Sequence, residues 1–156
     1  MVDPLHLVAG KASGRVLAID PGDKRIGLAL SDPAARIGRP LGVLQHVSRV
    51  LDAAAIAGIA KENDVRLIIV GQALQADGQM GPAARKAIRL AETIRSQTDI
   101  KVELWDESGS TLAARETLIE LGVPRKRRRG HQDALAACMI LRDYLAAVDD
   151  RRNDEP

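Results

Sequence analysis

The chain has 156 residues, with 23 Lys and Arg against 21 Asp and Glu, one Cys, one Trp, one Tyr and no Phe. That length suits a single domain that buries a core without cross-links, and the lone Cys138 forbids an intramolecular disulfide, as fits a reducing compartment. Two aromatic rings are too few for the stacked platforms of single-strand binders, and no stretch approaches the ~20 apolar residues of a membrane span.

Met1 to Gly14 contains Asp3 and His6 and no long apolar region, so it does not read as a signal peptide. It is expected to be an N-terminal extension, residues 1–14, to a soluble cytoplasmic protein. Residues 15–20 read as a central strand that ends on Asp20. Pro21-Gly22 turns the chain, and residues 26–31 form the returning arm of a hairpin. Gly38-Arg39-Pro40 reads as a breaker before a third extended stretch, Gly42 to Val47. Leu51, Ala54, Ala55, Gly58 and Ile59 recur at helical spacing. Leu67 to Val70 is a continuous apolar run, as expected of a strand covered on both faces.

Gln72 to Met80 reads as a polar loop with an Asp77-Gly78 turn. Gly81-Pro82 starts a helix, with proline where a missing N–H costs nothing. Its expected buried stripe is Ala84, Ala87, Ile88, Ala91 and Ile94. Ile100 to Trp105 forms a strand with Val102 and Leu104 on one face and Asp106-Glu107 at its end. Ser110 or Thr111 caps a helix to Leu121. A basic loop, Arg125-Lys126-Arg127-Arg128-Arg129, separates it from a last helix, about His131 to Val148. The inward face of that helix is Ala134, Ala137, Cys138, Leu141, Leu145 and Val148. Residues 149–156 form a charged tail.

The order β-β-β-α-β-α-β-α-α predicts an α/β domain over residues 15–148. Its mixed sheet combines a three-strand antiparallel meander with parallel strands and is flanked by helices. Sites in such sheets lie beyond the carboxyl ends of the parallel strands. Asp20 and Glu107 sit at such ends, and Asp133 opens the last helix. Convergent carboxylates are what a hard cation such as Mg²⁺ or Mn²⁺ requires, and two ions ~4 Å apart suit phosphodiester hydrolysis.

Each acid also has a plainer reading. Asp20 precedes a turn, and Asp106-Glu107 and Asp133 precede helices, where negative charge is favourable. Asp106 is a possible substitute for Glu107. Asp32 and Asp77 read as turn acids. His131 reads as a solvated residue beside the arginines, and His6 and His46 carry no signal. The basic run is either a solvated loop or a phosphate contact. Neither a zinc spacing nor a phosphate-binding glycine loop is present.

Four ordered motifs resemble the YqgF family, also called RuvX, of Holliday junction resolvase-like and pre-16S rRNA processing nucleases. They are Asp20-Pro21-Gly22 with Arg25-Ile26-Gly27 and Ser31-Asp32; Val70-Gly71-Gln72-Ala73-Leu74 with Asp77-Gly78; Asp106-Glu107-Ser108-Gly109-Ser110-Thr111; and Asp133 to Leu145. The resemblance spans about Arg15 to Leu145. It implies a ribonuclease H-like fold and an acidic set, Asp20, Glu107 and Asp133, holding Mg²⁺ or Mn²⁺. It also implies cytoplasmic processing of the 5′ end of pre-16S rRNA, on free RNA or on a ribosomal particle.

Arg25, Ser110, Thr111 and the run Arg125 to Arg129 are candidate phosphate contacts. Ser108 stands where the family has Arg, and Ala73 where it has Pro. The alternatives are a branched-DNA resolvase, a non-catalytic RNA-binding module and an actin-like kinase, for which the chain is too short. The state, monomer or homodimer, is left open.

Overall fold

The computed structural model describes residues 14–72, 80–106 and 125–154, with side chains in the last segment from 134 to 149. Five strands form one sheet: β1 (Arg15–Pro21), β2 (Arg25–Ser31), β3 (Gly38–Gln45), β4 (Val65–Gln72) and β5 (Lys101–Asp106). Three described helices complete it: α1 (Arg49–Glu62), α2 (Pro82–Arg95) and α3 (Arg125–Asp154). The strand order is β3-β2-β1-β4-β5, antiparallel across β3-β2-β1 and parallel from β1 to β4 to β5. This is the mixed sheet expected from the sequence.

β1 lies at the centre, and its alternate residues feed two separate cores. Leu17 and Ile19 join Ile68, Val70, Ile56 and Ile94 beneath α1 and α2. Val16 and Ala18 join Leu67, Ile69, Ile140 and Leu141 beneath α3. On the second face Ala18 pairs with Ala29 of β2, and small residues Ala137 and Cys138 meet them from α3. Small side chains on both surfaces let the helix settle close to the sheet. Gly38 extends that seam, since a Cβ there would fall 2.7 Å from Leu141 Cδ2. The Cys138 thiol donates to the Gly38 carbonyl at 3.6 Å.

Several expectations are corrected. Gly38-Arg39-Pro40 lies inside β3, where Pro40 is paired with Ala29 beside a register shift. An edge strand with a bulge tolerates a residue that cannot donate. In α1 the buried face is Asp52, Ala53, Ile56 and Ala60, while Leu51 is 57% exposed. The helix is apolar on several sides, so spacing alone did not choose its face. In α2, Leu90 is buried with Ala84, Ala87, Ala91 and Ile94, and Ile88 is half-buried. The basic run is not a loop: Arg125 to Arg129 occupy the first turns of α3, which also runs through most of the expected tail to Asp154. Arg and Lys are good helix formers, so nothing intrinsic stops the helix there. The expected helix from Ser110 or Thr111 to Leu121 lies outside the described residues.

Candidate active site

Asp20 is half-buried near the carboxyl end of β1. Strand alternation places it with Val16 and Ala18, on the α3 face of the sheet. Across β2 its partner is Gly27. Across β4, Ile19 pairs with Val70, so the next position beside Asp20 is Gly71. The carboxylate therefore stands between two strands that offer no side chain at its level. Glycine inside a strand weakens the strand and marks a place where another group approaches closely. One step further out, Gly71 pairs with Trp105 of β5. The Trp105 ring meets Tyr144 of α3 edge-to-face, with centroids 5.4 Å apart at 87°. That contact ties the outer parallel strand to the helix covering the site.

Asp106 pairs with Gln72 at the end of β5. It shares the alternation of Val102 and Leu104, which pack beneath α1 and α2. By that alternation it belongs to the face opposite Asp20. Glu107, Ser110 and Thr111 lie outside the described residues. Asp133 is the ninth residue of α3 rather than its opener. The helix dipole acts within the first turn, so it does not explain an acid there. The side chains of Asp133 and of Arg125 to Arg129 are outside the described set. No group of three potential metal ligands occurs among the described residues.

The turn after Asp20 is built tightly. A Cβ on Gly22 would lie 2.2 Å from the Arg25 carbonyl oxygen, so only glycine fits. Lys86 of α2 donates to the Gly22 carbonyl at 2.5 Å and to Asp23 Oδ1 at 3.0 Å. The ammonium beside Asp23 holds that carboxyl below its usual range. Lys86 thus braces the turn that carries Asp20, a role spacing did not reveal because its partners lie more than 60 positions away. Arg25 opens β2, half-buried and paired with Gln45.

His46 was also missed. Its Nδ1 lies 2.5 Å from Asp52 Oδ2, and Asp52 Oδ1 accepts from the Val47 N–H at 3.0 Å. Asp32 is a turn acid, as expected: its Oδ1 accepts from the N–H groups of Arg36 and Ile37 at 2.8 and 2.9 Å. The Ile37 and Arg36 amides pull its carboxyl below the usual value.

The profile of the RuvX family, described as Holliday junction resolvase, matches residues 14–147. A protein of Anaeromyxobacter sp. (strain Fw109-5) is 43% identical over 131 residues, covering 84% of this chain and 96% of that one. A protein of Clostridioides difficile (strain 630) is 37% identical over 132 residues, covering 85% and 94%. Both carry the name "Putative pre-16S rRNA nuclease". Among solved structures, Thermus thermophilus RuvC in complex with a Holliday junction substrate is similar, with a TM-score of 0.53 at 20% identity over 87% of this chain and 96% of that one. A fowlpox virus resolvase bound to Holliday junction DNA has a TM-score of 0.55 at 10% identity, covering 86% and 98%. Those two likenesses show that the fold is shared with these structures. By its sequence over nearly all of the described fold, the chain belongs to the RuvX family.

Proposed function

We propose that this protein is a divalent-metal-dependent nuclease that hydrolyses phosphodiester bonds in processing the 5′ end of pre-16S rRNA, in the cytoplasm. The observation that carries this reading is Asp20, a carboxylate at the end of the central strand with Gly27 beside it and Gly71 at the matching level. The names of the relatives support the substrate. No helix among the described residues is long and apolar enough to cross a membrane.

A carboxylate oxygen at a strand end suits Mg²⁺ or Mn²⁺. In this reading Asp20, Glu107 and Asp133 hold the ion within one domain, residues 15–148. Glu107 is preferred over Asp106 because Asp106 belongs to the other face. Asp133 precedes Ala137, which packs on the sheet, by about one helical turn. A bound ion supplies an activated water and neutralises charge on the phosphate. The two glycines put no side chain of their own between Asp20 and a scissile phosphate. Lys86 and Gly22 fix the turn, and Arg25 follows it within reach of a strand. Ser110 and Thr111 offer backbone N–H groups to phosphate, and Arg125 to Arg129 offer charge along it.

A second reading, a resolvase of branched DNA, rests on the description of the family profile. Both are tested by offering a labelled RNA with a 16S 5′ precursor segment and a labelled four-way DNA junction, each with Mg²⁺, Mn²⁺ or EDTA. Metal-dependent cutting of the RNA that Asp20→Asn abolishes supports the first reading. Cutting of the junction alone selects the second. Tight RNA binding without cutting of either substrate would leave a binding module.

A further inference from the structure

On the opposite face of the sheet from Asp20, at the same end, a pocket of about 120 Å³ opens between the β1–β2 turn, α1 and α2. Its apolar floor is Pro21, Ile26 and Leu90, and three cations, Arg49, Lys86 and Arg89, reach it from two helices. Arg49 is the first residue of α1, behind the Ser48 cap, so the helix N-terminus adds positive potential. Arg89 lies about one turn beyond Lys86 on α2.

Among the described residues the only acid lining the pocket, Asp52, is 4% exposed, and both its oxygens are engaged by His46 and the Val47 N–H. Lys86 is shared with Asp23. Arg49 and Arg89 make no ion pair or side-chain hydrogen bond among the described residues. The balance of the pocket is therefore positive. Its volume is well below the ~300–1,000 Å³ of sites for drug-sized ligands. It suits one phosphate with a small, weakly polar group against the floor.

We propose that this pocket binds one sugar-phosphate unit of the nucleic-acid strand held at Asp20. The phosphate sits between Arg49 and Arg89, and the ribose lies on Pro21 and Ile26. Pro21 and Gly22 line the pocket and directly follow Asp20, so the two sites are joined by two residues, at most ~7 Å of chain. A strand that passes over the β1–β2 turn reaches both faces. The inference rests on the nuclease reading and adds a second strand contact to it.

Two measurements on the full chain, both in EDTA, test this. Inorganic phosphate is titrated while the His46 ring is followed by NMR, in wild type and in Arg49→Ala/Arg89→Ala. Binding of a single-stranded RNA is then measured against salt for the same two proteins. The proposal expects a saturable His46 shift in wild type that weakens at least tenfold in the variant. It also expects a salt slope shallower by about 0.7 in the variant, the value for one phosphate. A His46 response with an unchanged RNA slope would make the pocket a free-anion site and overturn the strand contact. No His46 response and an unchanged slope would overturn the site altogether. If wild type binds no RNA while His46 still responds, the nuclease reading has failed and the strand contact fails with it, but the anion pocket stands. Both arginines are exposed, so the variant is expected to fold, which its amide spectrum checks.

Discussion

Asp20 on β1 stands directly opposite Gly27 on β2. In an antiparallel pair, opposed residues put their side chains within ~5 Å on the same face. A glycine there adds no side chain beside the carboxylate. Substituting Gly27→Ala adds one methyl there. The expected result is a fall in metal-dependent cleavage of tenfold or more, with a far-UV spectrum unchanged and the melting temperature little moved. Activity that declines only in step with a large drop in melting temperature would point to packing instead.

Asp20→Asn removes the negative charge while keeping the shape. Lewis-acid stabilisation is worth several kcal/mol, and each 1.36 kcal/mol is tenfold in rate. Loss of about 100-fold or more in turnover is expected, with RNA binding in EDTA retained. Turnover within a few-fold of wild type would remove Asp20 from the centre.

The backbone of Arg125 to Arg129 lies at the start of α3. Replacing all five of Arg125 to Arg129 with Gln should flatten the dependence of RNA affinity on salt. The slope should fall by up to about 3.5 if every one meets a phosphate of single-stranded RNA. An unchanged slope would assign them to solvent.

Gly38 and Leu141 form a close approach between β3 and α3. Gly38→Ala should cost about 1–3 kcal/mol by overpacking. Leu141→Ala alone should cost about 2–5 kcal/mol by leaving a cavity. Together they should cost less than the sum, because the smaller side chain receives the new methyl. Strict additivity in denaturant unfolding would show that the contact is not the cause.

Asp32 closes the loop between β2 and β3 through two backbone amides, and its folded carboxyl titrates below the ordinary value. A depressed carboxyl adds stability above its unfolded pKa and loses it as pH falls through the folded value. Asp32→Ala should therefore lower the melting temperature at neutral pH. The gap to wild type should begin to close as pH drops below about 4, the ordinary Asp value. A gap that persists unchanged at low pH would contradict the amide contacts.

The hairpin carrying Asp20, the doubly buried strand Leu67 to Val70 and the proline-led α2 were all legible, because each is a local signal. A run of apolar residues ends on a turn, and a proline sits where its missing donor is harmless. The family motifs likewise gave the acidic set as an expectation. The exposed face of α1 was not legible, since its residues are apolar on several sides and only the sheet beneath selects one. The strand at Gly38 to Pro40 was hidden for a similar reason: its partner β2 overrides the local preference of Gly and Pro to break.

Sequence by itself determined the family, most of the element types and the candidate carboxylates, because those are carried by short-range pattern. Tertiary structure decided which of them share a face. It put Asp20 on the α3 side between Gly27 and the level of Gly71, turned Asp106 to the other side, and set Lys86 on a turn far away in the chain. It also gathered Arg49, Arg89 and the His46–Asp52 pair around one pocket. The physical reason is that alternation fixes facing only once register is set. Register and helix docking are in turn set by long-range packing, which no local window of sequence contains.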